Sequence, residues 1–155
     1  MAEKNQTPLL AIVDGSNYLY RAYYGIPALT NSKGFPTNAI YGFTTMLMKL
    51  LRDLSPDYIV VTFDLKGPTT RHGEFDNYKA TRKPMPDDLI PQIPSIKDVV
   101  RAFSICILEK QGIEADDIIG ALTVQASRRG WHTAIISGDK DLMQLIDDRV
   151  TMVDT

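Results

Sequence analysis

Seven acidic side chains stand where apolar stretches of this chain give way to loops: Asp14, Asp64, Glu114, Asp116, Asp117, Asp139 and Asp141. Carboxylate oxygens are the ligands that hard divalent cations such as Mg2+ and Mn2+ prefer. Two such ions about 4 Å apart can clamp an in-line displacement at phosphorus, stabilising the attacking and leaving oxygens together. The acids also have plain structural readings. Asp14 and Asp64 can cap a helix or close a turn, and one or two acids in a first helical turn complement the helix dipole. Glu114, Asp116 and Asp117 go further, because three acids in four positions repel one another and Glu114 and Asp117 share a helical face. Asp139 and Asp141 form a second close pair behind Gly138. As a set, these residues favour metal-dependent phosphoryl chemistry over a solvated acidic edge.

Other chemistries find less support. His72 lies in a basic stretch and His132 begins a strand, so neither a zinc site nor a histidine-based triad is expected. No glycine-rich phosphate loop is present. Asp14-Gly15-Ser16-Asn17 lacks the second aspartate, two residues on, that serves as acid in phosphatases with an aspartate nucleophile. Gly15, lacking a side chain, would let the backbone approach a phosphate or metal closely. Cys106, the single cysteine, lies in an apolar run and reads as a small buried hydrophobe.

Seventeen basic residues against 19 acidic ones leave a net charge of −2, so the overall balance says nothing about nucleic acid. The distribution says more. Between Lys66 and Pro86, five cations (Lys66, Arg71, Lys79, Arg82 and Lys83) face only Glu74 and Asp76. Lys79 and Arg82 share one side if that stretch is helical, with Tyr78 beside them; cations reach backbone phosphates and a ring can stack on an unpaired base. A solvated loop is the bland alternative. Tyr18 and Arg21, three residues apart just after Asp14, either face a phosphate or, for Tyr18, form a core-edge aromatic.

The elements that must carry these residues alternate. Apolar runs at Leu9–Val13, Tyr58–Phe63, Ile105–Leu108 and Thr133–Ser137 read as buried strands, and Val150–Val153 as a last one. Ser16 can cap a helix over about 17–24, ended by Gly25 and Pro27. Asn38 can cap a longer one bearing Ile40, Phe43, Leu47, Leu50, Leu51 and Leu54, stopped by Ser55-Pro56. Further helices are expected from Ser95, with Ile96, Val99, Val100 and Phe103 on the apolar face, from Asp116 to Arg129 before Gly130, and briefly from Leu142 to Ile146. This order predicts an α/β domain, a mostly parallel central sheet with helices on both faces. Its strand ends share the edge where such folds bind ligands. The proline-rich stretch over 66–94 lacks a core-forming pattern and reads as a functional insertion. At 155 residues the chain makes one domain with a sizeable core. A lone cysteine cannot form an internal disulfide, and no run approaches the roughly eighteen apolar residues of a membrane span. The first apolar run is also too short for a signal peptide, so a soluble, cytoplasmic protein without a membrane partner is expected.

The ordered set Val13-Asp14-Gly15-Ser16, Tyr18-Leu19-Tyr20-Arg21-Ala22, Phe63-Asp64, Tyr78-Lys79, Arg82-Lys83-Pro84-Met85-Pro86, Gly112-Ile113-Glu114-Ala115-Asp116-Asp117 and Ser137-Gly138-Asp139-Lys140-Asp141 resembles the N-terminal part of the 5′→3′ exonuclease (5′-nuclease) domain of bacterial DNA polymerases I, in the flap endonuclease group of PIN-like folds. The resemblance covers nearly the whole chain. It implies that the seven acids bind divalent metal, Mg2+ or Mn2+, directly or through water, with two ions in the complete domain. It implies that Lys79 and Arg82 lie in an arch, the insertion at about 66–94, and steady the scissile phosphate as catalytic residues. Tyr18, Arg21, Tyr78, Lys79, Arg82 and Lys83 would contact DNA, with Tyr78 stacking on a base. The implied reaction is hydrolysis of DNA at a single-stranded 5′ end or flap, as in repair and primer removal, with RNA primers as further substrates. Family members continue into a helical module that grips duplex DNA and adds aspartates for the second metal, and some carry a polymerase region. The chain ends at Thr155, before these, so the expectation is either a full nuclease function in a longer chain or a DNA-binding fragment with impaired catalysis.

Overall fold

β1 (Leu9–Asp14) is the hub of the architecture, an apolar strand hydrogen-bonded along both edges. The computed structural model describes residues 6–64 and 84–154. β2 (Tyr58–Thr62), β3 (Cys106–Leu108), β4 (His132–Ile136) and β5 (Val150–Val153) complete a five-stranded sheet of order β3-β2-β1-β4-β5. Every neighbouring pair is parallel. Such strands are covered on both faces, which is why β1, β2 and β4 read as nearly unbroken apolar runs rather than alternating ones. The chain builds outward from β1 through β2 to β3, then returns to β1's other edge to lay down β4 and β5. The reversal point therefore lies between β1 and β4, and open sheets of this type bind ligands in the crevice at such a point.

Helices cover both faces, as the alternation predicts. On one, Val13, Val61 and Ile136 pack with Leu19, Phe43, Leu47 and Ile96 from α1 (Gly15–Gly25), α2 (Asn38–Leu54) and α3 (Ile93–Ala102). On the other, Ile12, Val60 and Ile135 meet Ile119 of α4 (Ala115–Arg128) and Leu142 of a 3-10 helix (Lys140–Leu145).

The local start signals differ from the sequence reading. Asp14, not Ser16, caps α1: its carboxylate accepts the Asn17 N–H at 3.2 Å, and the helix begins at Gly15. The absent side chain of Gly15 serves packing rather than ligand approach. A Cβ there would overlap the Thr62 carbonyl oxygen and lie 2.7 Å from the Phe63 ring. α2 has Thr37 at its cap position without a side-chain cap bond, and Asn38 is the first helical residue. Its orphan donors go instead to Gln92, whose Oε1 accepts Ala39 N–H at 2.8 Å and Ile40 N–H at 3.1 Å. Gln92 Nε2 donates to Asn38 Oδ1 and to the Asp88 carbonyl, both at 2.9 Å.

That network changes the reading of the proline-rich stretch. Its described end, 84–94, is folded: Leu89 and Gln92 are fully buried, a 3-10 helix spans Ile90–Gln92, and α3 starts at Ile93 rather than Ser95. Cys106 is a second correction. β3 is an edge strand, and Cys106 on it is exposed rather than buried. Gly130 does terminate α4, with φ +74°, and no helix among the described residues is long and apolar enough to cross a membrane.

Gln92 yields a direct test. Gln92→Met keeps the side chain's length and apolar stem but removes the partner of the buried Ala39 N–H and Asn38 Oδ1 and of the partly buried Ile40 N–H and Asp88 carbonyl. The expected loss is about 3 kcal/mol of unfolding free energy. Urea denaturation would show it as a lower midpoint with an unchanged slope.

Candidate active site

Parallel pairing places the ends of β1, β2 and β4 side by side. Asp14 is in register with Thr62, and Ser137 follows the Val13↔Ile136 pair. Asp14 is 5% exposed and is held at both oxygens: Oδ1 accepts from Asn17 N–H, and Oδ2 accepts the Ser137 hydroxyl at 2.8 Å. Asp64 lies two residues past β2. Its Oδ1 accepts the Ala115 N–H at 2.7 Å, so it caps α4 from outside, while Glu114, the cap residue itself, makes no side-chain cap bond. A carboxylate there meets the positive end of the helix. Asp116 sits half-buried in that helix's first turn. Asp139 precedes the 3-10 helix, where it accepts the Asp141 N–H at 2.9 Å.

These four aspartates, one from each of four chain segments, line a single cavity of about 330 Å³ with Ser16, Asn17, Tyr20, Tyr24 and Pro84. None of these lining residues is a lysine or arginine. Among the described residues, no three His, Cys, Asp or Glu side chains are drawn into a ready-made metal cage. A larger and chiefly apolar groove, about 550 Å³, lies between α1 and α2. Its acids are matched, Asp53 by Lys49 and Arg52 and Asp154 by Arg21, so among the described residues the acids without a cation in the same lining are those of the smaller cavity.

Electrostatics binds the four acids into one unit. Burial raises the Asp14 carboxyl above its ordinary value; the Ser137 and Asn17 hydrogen bonds oppose that rise, and Asp64 and Asp139 add to it. Asp116 is raised to about 6, first by burial and then by repulsion from Asp139, Asp14, Asp64 and Glu114. Such clustering of perturbed carboxyls in a cleft marks a functional site.

The other sequence candidates fall into three groups. Glu114 is buried beside the cluster, while Asp117 and Asp141 are exposed and lie outside the cavity lining. Tyr18 is corrected. It is 1% exposed, its hydroxyl donates to the Met46 carbonyl, and its ring packs edge-on against Phe43, leaving no face for a base. Arg21 is at the rim of the apolar groove, paired with Asp154 at 2.9 Å, and does not line the acidic cavity. Tyr78, Lys79, Arg82 and Lys83 lie outside the described residues. Five lining residues escaped the sequence reading as site members: Ser16, Asn17, Tyr20, Tyr24 and Pro84. Tyr20 and Tyr24 stand one helical turn apart with rings 14° from parallel, a spacing visible in sequence once α1 is known to start at Gly15.

Comparison with known proteins agrees with this geometry. Residues 9–155 match the family described as 5'-3' exonuclease, N-terminal resolvase-like domain. The DNA polymerase I of Caldicellulosiruptor bescii is 48% identical over 143 residues, which are 92% of this chain and 17% of that protein. The 5'-3' exonuclease of Aquifex aeolicus is 44% identical over 144 residues, 93% of this chain and 50% of that protein. The chain thus spans half or less of the length of these relatives. Among solved structures, T5 5'-exonuclease with divalent metal ions (zinc) bound superposes with a TM-score of 0.66 at 24% identity, covering 93% of this chain and 54% of that one. A T5 D15 flap endonuclease complex with DNA and metal ions gives 0.65 at 24% identity, with the same coverage of both chains. These two likenesses establish the fold.

The raised carboxyl of Asp116 has a signed consequence. The folded state holds that proton more tightly than the unfolded one, so stability falls as pH rises from the ordinary 3.8 through about 6. Asp116→Asn should therefore stabilise the metal-free protein above that window, by roughly 1 kcal/mol after discounting for solvent around a half-exposed group. Melting curves at pH 8 and pH 4 check this: the gain should be present at the first and absent at the second.

Proposed function

Since the chain belongs to the family of 5'-3' exonuclease N-terminal, resolvase-like domains, we propose that it hydrolyses DNA phosphodiester bonds at single-stranded 5′ ends or flaps, using divalent metal. The observation that carries this reading is the convergence of Asp14, Asp64, Asp116 and Asp139 on one cavity, with no cation among its described lining residues. Oxygen-only donors suit a hard cation, as Mg2+ and Mn2+ are. Asp14, Asp64, Asp116 and Asp139 hold the metal, Glu114 deepens the negative field beside Asp116, and Asp117 and Asp141 act through water. Divalent metal there supplies an activated water and neutralises charge building at the phosphorus.

The rest of the chain delivers the substrate. Tyr20 and Tyr24 form an aromatic wall of the cavity on which a base can stack. Lys79 and Arg82 steady the scissile phosphate, with Tyr78 and Lys83 contacting the strand. Arg21, in an exposed pair with Asp154, exchanges that weak partner for a phosphate. Removal of flaps and RNA primers in replication and repair follows as the role, with two metals and a DNA-gripping module in a longer chain. A second reading, a DNA-binding fragment without catalysis, draws on the lack of a closed cage among the described residues.

A 5′-labelled flap DNA incubated with Mn2+ separates the two. Cleavage that disappears in Asp116→Ala supports the nuclease, and binding without cleavage supports the fragment. Lys79→Ala is expected to slow cleavage by roughly a hundredfold, as loss of a charge-stabilising group does, while leaving Mn2+ affinity unchanged. An equal loss of metal binding would remove Lys79 from its assigned role.

A further inference from the structure

Ser137 is the residue after β4 and is 2% exposed. A hydroxyl has one proton to give and two lone pairs. Here the proton goes to Asp14 Oδ2 at 2.8 Å, and the oxygen accepts the Asp139 N–H at 3.0 Å. One buried atom thus joins the acid that ends β1 to the acid that follows β4, across the reversal point of the sheet. The two carboxylates repel each other, and no other residue bonds to both segments at a single atom among the hydrogen bonds described around the cavity. Asn17 fastens the same turn one residue along, its Oδ1 accepting the Gly138 N–H at 2.9 Å. A Cβ at position 138 would stand 3.1 Å from Asp154 Oδ1, so that exposed carboxylate would have to shift slightly to admit one. Ser137 and Asn17 thus hold the turn from both sides.

We propose that Ser137 is a positioning residue for the metal centre, setting the distance and orientation of Asp14 relative to Asp139. This rests on the reading of those acids as metal ligands. The hydroxyl consumes one lone-pair direction of Asp14 Oδ2, and Asn17 N–H consumes one of Oδ1, so each oxygen keeps a direction for a cation. Asp139 Oδ1 is likewise engaged by the Asp141 N–H, which fixes the carboxylate plane. Without the Ser137 hydroxyl, two like charges are free to move apart, and a cation must pull them together at the cost of its own binding energy.

The test measures Mn2+ affinity by electron paramagnetic resonance of the free ion for wild type, Ser137→Ala and Ser137→Thr, without DNA. Ser137→Ala should bind Mn2+ at least about tenfold more weakly, the loss usual for removing a residue that orients ligands. Ser137→Thr, which restores the hydroxyl, should recover most of that loss. The Mn2+-induced rise in melting temperature is read alongside, because it reports affinity even in a variant whose metal-free form is weakened. Wild-type affinity in Ser137→Ala overturns the inference alone. No Mn2+ uptake by the wild type overturns the metal reading and the inference with it.

Discussion

A carboxylate at the end of the central strand is the constraint around which the molecule is arranged. Asp14 is almost entirely shielded from water, and an ionised group in that position is unstable without donors. The fold supplies them from two directions. The first turn of α1 provides the Asn17 N–H, and the turn after β4 provides the Ser137 hydroxyl. The same bonds that oppose the upward push of burial on the Asp14 carboxyl also fix where α1 leaves the sheet and where β4 lets go of it. Chain path and site geometry are one arrangement.

Around that anchor the protein accepts electrostatic strain. Asp64 finds a favourable place at the N-terminus of α4, but Asp116, in the first turn of that helix, faces the field of four other acids. In the metal-free protein this repulsion opposes folding, and the apolar layers on the two sheet faces must outweigh it. Carboxyls gathered in a cleft so that burial and mutual repulsion perturb them mark a functional site, even where some of them also cap helices.

Much of the frame was readable along the chain because it depends on local pattern. Strands β1, β2 and β4 appear within a residue or two of the apolar runs, since burial on both faces demands a continuous apolar stretch. Capping was read less well. Ser16 and Asn38 have the right chemistry for caps, but Asp14 and the distant Gln92 perform the task, and an acceptor 53 positions away leaves no trace in local spacing. Cys106 was misread because an apolar run does not disclose whether its strand is central or at the edge. Tyr18 resolved toward the core because the position of α1 against α2 turns its ring onto Phe43.

By itself the sequence determined that acids follow the strands of an alternating α/β chain, that a basic stretch lies between β2 and α3, and which family that order resembles. Residue type and periodicity encode those properties directly. The tertiary structure alone decided which acids meet. Parallel register and the reversal between β1 and β4 bring Asp14, Asp64, Asp116 and Asp139 to one cavity and leave Asp117 and Asp141 outside its lining. It also decided that Ser137 stands between two of them. The physical reason is that strand order and register are set by non-local packing, and a contact such as that between residues 14 and 137 has no counterpart in the spacing of the chain.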